Sequence, residues 1–481
     1  MRRHRVIMVL AGAAAIWCAG PLAVLAAAAG GAVAQTGTWR TSIEVPGLGS
    51  LNGGGFAGVD SVSCGSAGNC GAGGFYTDRS AHLQAFVVNQ KRGSWRRAIE
   101  VPGLGILNAG GSASVASVSC ASAGKCAAGG SYRDGSGHQQ AFVASEKHGT
   151  WGTAIEVPRS AALNTGGIAG VTSVSCASAG NCAAGGFYED NSPHAQAFVV
   201  SEINGMWRMA IEVPGSAALN IGGAGVNSVS CASAGNCRAG GFYTDSSGQE
   251  QALVVNETNG TWGTAIEVPG SATLNAGGSA SVTAVSCASA GNCAAGGSYH
   301  IDSSSSLQAF VASETNGTWG AAIEVPGSGA LGGSASVASV SCASAGNCAA
   351  GGSYTVTFHH VQAFVDSQMN GTWGAAIEVP GSASLNIGGM AQVNSVSCAS
   401  AGNCAAAGSY VDGLNHGQAL VASETNGTWG TAIEVPGSGA LNAGGAAAAR
   451  WVSCPSAGNC AVGGSYRDGS GHFQAFVDSQ A

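Results

Sequence analysis

Val174-Ser175-Cys176-Ala177-Ser178-Ala179-Gly180-Asn181-Cys182, followed by Ala183-Ala184-Gly185-Gly186, returns in eight versions along this chain at a spacing of 55 or 56 residues. The pairs Cys64/Cys70, Cys120/Cys126, Cys176/Cys182, Cys231/Cys237, Cys287/Cys293, Cys342/Cys348, Cys398/Cys404 and Cys454/Cys460 mark the period. Self-similarity at a fixed period of this length signals a repeat architecture. Length alone suggests about three domains, but one unit repeats from Trp39 to the end, so residues 35–481 read as a single domain.

Within a unit the pattern predicts four short strands. Val171 to Cys176 alternates apolar and small polar residues and ends in the turn residues Ala-Ser-Ala-Gly-Asn. The second strand runs from Cys182 to Tyr188, where Gly185-Gly186 permits a close backbone approach or a bulge. After the polar turn Asp190-Asn191-Ser192-Pro193, Gln196 to Val200 forms the third. The fourth extends from Trp207 through Val213 and is closed by Pro214, which cannot donate to a ladder. No segment shows a helical period, so the class is all-β.

Ahead of the repeats, Arg2, Arg3 and Arg5 precede an apolar run from Val6 to about Ala29, and Ala32-Val33-Ala34 has the small-x-small form of a signal-peptidase site. Residues 1–34 therefore read as a signal peptide, with a retained anchor as the rival because the run is long. Cleavage discards Cys18 and leaves sixteen cysteines, two per unit, in the oxidising compartment that disulfides need. Eight bridges within units follow, each stapling the first two strands across their tight turn. Zinc wants four converging ligands, which two thiols per unit do not supply. Each bridge closes a short loop and contributes about 2 kcal/mol on the chain-entropy model.

The ends are out of phase with the repeat. The mature chain opens with a fourth strand, Thr38 to Pro46, and finishes with a third strand, Gln474 to Val477. If the first completes the last sheet, no orphan strand remains. The predicted fold is a closed eight-bladed β-propeller of four-stranded blades; a linear solenoid would need distinct capping repeats.

Gly-Gly-x-Tyr, a polar turn, an apolar strand and Thr-Asn-Gly-Thr-Trp together resemble the kelch repeat. The segment Ser313-Glu314-Thr315-Asn316-Gly317-Thr318-Trp319 is also similar to the Asp-box turn of sialidase-like propellers, without its aspartate. The cysteine motif combined with the later Gly-Thr-Trp resembles secreted actinobacterial repeat proteins. These resemblances, over residues 38–481, imply a fold and no particular activity.

The 17 Lys and Arg against 25 Asp and Glu give a net charge of −8, and loss of the three leader arginines leaves 14 against 25, or −11. That balance argues against a general nucleic-acid binder, which carries a basic face. Asp78/His82, Asp134/His138, Asp190/His194, Asp412/His416 and Asp468/His472 place a carboxylate four residues before a histidine. Turn-stabilising hydrogen bonding is the simpler reading than a rim of metal or sugar sites. A glutamine in every third strand and a glutamate in every fourth accompany them, the glutamate reading as an edge charge that discourages aggregation.

Departures from symmetry are the candidate binding residues. Four positions before the first cysteine stand Asp60, Ala116, Thr172, Asn227, Thr283, Ala338, Asn394 and Arg450, and closure would bring Asp60 against Arg450. Trp451 and the run Thr357-Phe358-His359-His360 also break the pattern and are candidates to line a pocket. No P-loop, HExxH or nucleophile-elbow motif occurs. The expectation is a secreted, monomeric, non-catalytic binding or scaffold protein that contacts a protein or glycan. It would use no cofactor or metal, no nucleic acid, and no membrane span after leader removal. The alternative is a glycan-directed or oxidative propeller enzyme.

Overall fold

The computed structural model describes residues 37–480 except 193, 303–305 and 358–359, so the predicted signal peptide and His359 lie outside the described residues. Eight antiparallel sheets follow one another along the described chain. Blade 3 is representative: inner strand Ala169–Ser178, second strand Asn181–Glu189, third strand Ala195–Ile203, and an outer strand split into Met206–Trp207 and Ile211–Glu212, both paired to the third. The split falls at Arg208–Ala210, where the chain leaves the ladder and the Ala210 N–H donates to the Pro158 carbonyl of the preceding unit.

The inner strands of blades 1 to 8 are Ala57–Ser66, Ala113–Ser122, Ala169–Ser178, Ala224–Ser233, Ala280–Ser289, Ala335–Ser344, Gln392–Ser400 and Ala447–Ser456. Each packs against the next, and the eighth packs against the first. Closure comes from the N-terminal strand Ile43–Glu44, which pairs Ile43 with Val477 and Glu44 with Phe476, while Trp39 bridges Gln480. The ring is closed by the first strand completing the last blade, as the strand count requires.

One expectation needs correcting: the chain is not free of helix. A single turn enters blade 4 at Ser216–Leu219, and its equivalents recur before the other blades, one of them as the 3₁₀ turn Leu48–Ser50. Each starts after a residue in the left-handed region, such as Gly215 at φ 83°. Four residues are too few to impress a 3.6-residue period on a sequence.

All eight bridges form within units, as the spacing predicts. They are Cys64–Cys70, Cys120–Cys126, Cys176–Cys182, Cys231–Cys237, Cys287–Cys293, Cys342–Cys348, Cys398–Cys404 and Cys454–Cys460, and each joins the inner to the second strand with Cα atoms 3.9–4.1 Å apart. The picture of a staple on one hairpin is nevertheless incomplete and is corrected by their burial. The second cysteines Cys70, Cys126, Cys182, Cys237, Cys293, Cys348, Cys404 and Cys460 are all buried, and each belongs to one of the eight apolar clusters. Those clusters draw residues from adjacent blades, so the sulfurs are core atoms between blades as well as crosslinks within them. A five-residue gap between cysteines fixes the partner but says nothing about the neighbouring blade that covers it. The second cysteine of each bridge is therefore a core residue, while the first is partly exposed in six of the eight.

Between blades, the serine that precedes the first cysteine of each unit supplies a belt that periodicity did not reveal. Ser175 Oγ accepts from the Cys231 N–H of the next blade at 2.9 Å, and equivalents of this bond bring the total to eight. Its last member runs from the Cys64 N–H to Ser453 across the seam. At roughly 0.5–1.5 kcal/mol each, these bonds hold a wall that the small Ala, Gly and Ser side chains could not hold by apolar burial alone.

The core lies between blades. Gly185 has no room for a Cβ, which would sit 2.5 Å from Val226 and 2.9 Å from Val229 of the next blade. Gly186 abuts its own inner strand, and a Cβ there would fall 1.9 Å from the Gly170 carbonyl oxygen. The double glycine thus serves two different close approaches, one to side chains and one to backbone. No helix among the described residues is long and apolar enough to cross a membrane.

Candidate functional site

The polar residues that recur in every unit are largely engaged in building the blade. Asp134 Oδ1 accepts from the N–H groups of Ser136 and His138 at 2.8 and 3.0 Å, and its Oδ2 accepts from Gln140 Nε2 at 3.0 Å. His138 Nδ1 stays 3.9 Å from that carboxylate. The Asp/His hairpins are therefore turns stabilised by aspartate. Gln140 in turn accepts from Asn164 Nδ2 at 3.0 Å, tying the hairpin to the connector into the next blade.

The recurring glutamate also has a partner. Tyr188 Oη donates to Glu212 Oε2 at 3.1 Å, and the pair recurs around the ring, with Tyr466 reaching Glu44 on the closing strand. Beyond being an edge charge, this glutamate is the acceptor for a phenol two strands inward. Burial, and then the adjacent carboxylate, pushes the Tyr299 hydroxyl up to about 12.

A second set of acids is buried where third strands meet. Ser145 Oγ accepts from Trp207 Nε1 at 3.0 Å and donates to Glu202 Oε1 at 2.7 Å, so one blade's Trp and Glu clasp the preceding blade's serine. Blades 1, 6 and 8 break this arrangement with Gln90, Gln368 and Gln480 in place of the glutamate, and in blades 6 and 8 Asp366 and Asp478 appear two residues earlier. Both aspartates are buried, neither Asp366 oxygen has a well-formed hydrogen bond, and burial pushes each carboxyl up to about 7.

A carboxyl whose folded pKa is raised binds its proton more tightly in the native state, so its contribution to stability falls as pH rises from about 4 to about 7. Alanine occupies this site in blades 2, 5 and 7 as Ala144, Ala312 and Ala422. Asp366→Ala is therefore expected to stabilise the protein at pH 8 by about 2–4 kcal/mol, the gain shrinking as pH falls toward 4. Thermal melts of both proteins across that range check this; a gain independent of pH contradicts it.

What remains after this accounting is the set of residues that differ between blades. The ring four residues before the first cysteine is a β-bulge, as the register shift between Val171 and Ser173 shows, and in blades 2 to 7 these residues line the channel. Thr172 Oγ1 and Asn227 Nδ2 donate to the next blade's Val226 and Val282 carbonyls at 2.5 and 2.9 Å. At the seam the pattern changes from backbone to side chain. Arg450 Nη1 donates to Asp60 Oδ1 at 2.6 Å, joining residues 390 apart in sequence. Burial pushes the Asp60 carboxyl up to about 6 against the pull of the arginine.

The axial channel encloses about 300 Å³ and is lined by inner-strand residues of all eight blades, including Trp451. Trp451 stands where six other blades carry a serine and is 41% exposed. Trp451 lines the channel, whereas Asp60 and Arg450 pair at the seam between blades 1 and 8 and are not among the channel-lining residues. His360 pairs with Thr357 at the exposed end of a blade 6 hairpin and is not among the channel-lining residues. No group of three or more His, Cys, Asp or Glu among the described residues is arranged to hold a metal ion.

Solved structures supply a relative in shape. The architecture is similar to that of Sqt1. Two structures of Sqt1 from Chaetomium thermophilum superpose with TM-scores of 0.51 and 0.52 at 11% and 9% identity, each over 92% of this chain and 100% and 97% of theirs. The Pyrococcus horikoshii acylaminoacyl peptidase matches with a TM-score of 0.43 at 10% identity, over 82% of this chain and 54% of the peptidase. No protein-family model and no curated protein sequence matches the chain. At these identities the likeness to Sqt1 concerns the fold alone.

A larger cavity of about 650 Å³ opens between blades 1 and 2 at the periphery. Sequence reading did not single it out, because its walls come from two units and its basic lining residues come from three separate turns. The signal was present as a local excess: eleven of the fourteen basic residues after the leader fall between Arg40 and Arg208.

Proposed function

We propose that this protein is an exported, non-catalytic binding or scaffold protein, with the closed propeller holding irregular loop and channel residues in fixed positions for protein or glycan contacts. The observation that carries this reading is the engagement of the recurring polar groups. Most of the repeated Asp, Gln, Tyr, Glu and inner-strand Ser residues are tied into turns, blades or blade interfaces. Chemistry free to meet a ligand is then confined to the residues that break the repeat. Eight disulfides accord with an oxidising, extracellular setting.

A second reading rests on the seam. Asp60, raised to about 6 beside Arg450 at the seam, with Trp451, the residue after Arg450, on the channel wall, is a grouping of acid, cation and aromatic group that a glycan-directed or oxidative enzyme could use. Mass spectrometry of a glycan panel after incubation with the processed protein, alongside binding isotherms on the same panel, separates the two. Retention of glycan with unchanged mass is the expected result. Turnover that disappears in Asp60→Asn and Arg450→Ala would establish the enzyme instead.

A further inference from the structure

We infer that the cavity between blades 1 and 2 is a binding site for a short anionic oligosaccharide, one whose sugars carry carboxylate or sulfate groups. This deepens the binding reading above and rests on it. The cavity walls include Lys91, Arg96, Arg97 and His148, with Ile99 and Pro102 forming an apolar strip. Arg92 and Lys125 flank it from the neighbouring turns, and Lys125 Nζ lies 3.2 Å from His148 Nε2.

Arg97 and Lys125 stand where every other blade places a neutral residue, and Arg92 and His148 where blades 3 to 7 place asparagine; Lys91 is matched by Lys147 in blade 2, and Arg96 by Arg208 in blade 3 and Arg40 on the closing strand. The turn that reads Thr-Asn-Gly in blades 4, 5 and 7 is Lys91-Arg92-Gly93 in blade 1 and Lys147-His148-Gly149 in blade 2. After the tryptophan, Gly152-Thr153 of blade 2 corresponds to Arg96-Arg97 of blade 1. Lys125 replaces the asparagine found in the other seven cysteine hairpins. In blade 3 that asparagine, Asn181, accepts the Asn204 N–H of the facing turn at 3.2 Å, so blade 2 has exchanged a lock for a charge.

Backbone geometry shows that the substitutions run against local preference. Arg92 and His148 adopt φ 52° and 55°, the left-handed conformation that asparagine tolerates and that their equivalents Asn204, Asn259, Asn316, Asn370 and Asn426 occupy. Strained residues of this kind concentrate at ligand sites. Basic residues from three turns line one cavity, and Lys125 of a fourth flanks it.

The charges are also unspent. None of the ion pairs formed among the described residues engages Lys91, Arg92, Arg96, Arg97 or Lys125. Arg97 donates to Ser50 Oγ, a neutral acceptor, at 3.0 Å. The one carboxylate in the wall is Glu146, buried at the inner end with its Oε1 held by Asn89 at 2.5 Å and its Oε2 unpartnered. On a protein of net charge −8, a confined positive cavity favours a short anion over a long polyanion, which the rest of the surface would repel. The exposed Ile99 and half-buried Pro102 suit the C–H faces of a sugar ring whose charged groups reach the rim.

The test titrates the full processed protein by calorimetry at low salt with four probes: a tetragalacturonate, a heparin-derived tetrasaccharide, neutral maltotetraose and a short polyglutamate peptide. The comparison protein carries Lys91→Thr, Arg92→Asn, Arg96→Gly and Arg97→Thr, which restores residues used by sister blades and so preserves folding. Binding of one or both acidic tetrasaccharides, weakened about tenfold or more in this variant and by added salt, is expected. The probe that binds identifies carboxylate or sulfate as the recognised group. Equal affinity in the variant, or no binding of either acidic sugar, overturns the inference. Preference for polyglutamate would reassign the cavity to peptides. If maltotetraose alone binds, the anion inference falls while the binding function stands; if no glycan or protein probe binds, both fall.

Discussion

A chain beginning at Pro46, without the closing strand, should lose its cooperative unfolding transition or melt far below the intact protein. The strand supplies fully buried Val45 and the largely buried Trp39, the ladder pairs Ile43/Val477 and Glu44/Phe476, and the Val45 N–H bond to the Ala475 carbonyl. Its removal also leaves Tyr466 without Glu44 and strips cover from Phe476 and Val477, both 0% exposed. Two large side chains and several backbone bonds amount to about 5–10 kcal/mol, the scale of a whole domain's stability. The seam keeps other contacts, among them Asp60 with Arg450, Cys64 with Ser453, Asn52 with Gln474 and Trp95 with Ser479, but none of these replaces the outer strand of the last blade. Thermal and urea melts of the truncated chain, alone and with a peptide spanning residues 36–46 added, decide the matter. Partial restoration by the peptide is expected. A truncated chain that melts with the intact one would show that the strand is dispensable.

The double glycine provides the second large effect, with opposite prospects of rescue at its two positions. Gly186→Ala places a methyl 1.9 Å from the Gly170 carbonyl, and because both partners are backbone no rotamer change relieves it. Loss of at least about 4 kcal/mol, or failure to fold, is expected. Gly185→Ala meets only the side chains of Val226 and Val229, a kind of overpacking that costs about 1–3 kcal/mol. Val226→Ala should remove that collision, so the double variant should be more stable than the sum of the single changes, by about 1–3 kcal/mol of coupling. The protein already contains such a pair. Ala407 takes the first glycine's place in blade 7, and blade 8, which packs on it, carries Ala449 where the other seven have valine; both sit in one buried cluster. A double-mutant cycle by urea unfolding measures the coupling. Strict additivity would mean that Gly185 is kept for backbone freedom and not for its fit against valine.

The 55- or 56-residue period, the paired cysteines, the alternation in Ser-Val-Ser-Cys and the phase offset of the two ends were sufficient to specify eight four-stranded blades and their closure, because each is a local pattern or a count. The one-turn helices were too short to show a period. Opposed Asp60 and Arg450 could be anticipated only by assuming closure, which makes neighbours of residues 390 apart. Other features depend on which atoms of adjacent blades approach one another. Spacing pairs Cys231 with Cys237 but cannot place Cys237 in a cluster shared with blade 3 residues such as Val199. Alternation identifies Ser175 as a strand residue but cannot say that its hydroxyl meets Cys231 of the next blade. A recurring glutamate reads as a charge until the fold sets Tyr188 over Glu212. Ala407 and Ala449 look like unrelated drift until they share a cluster. Likewise Lys91, Arg96 and His148 are scattered substitutions along the chain, and only the packing of blade 1 against blade 2 gathers them around one cavity. Local sequence encodes the blade because strand pairing is set by period and turn chemistry; the surfaces between blades belong to the tertiary structure because their contacts join residues a full repeat apart.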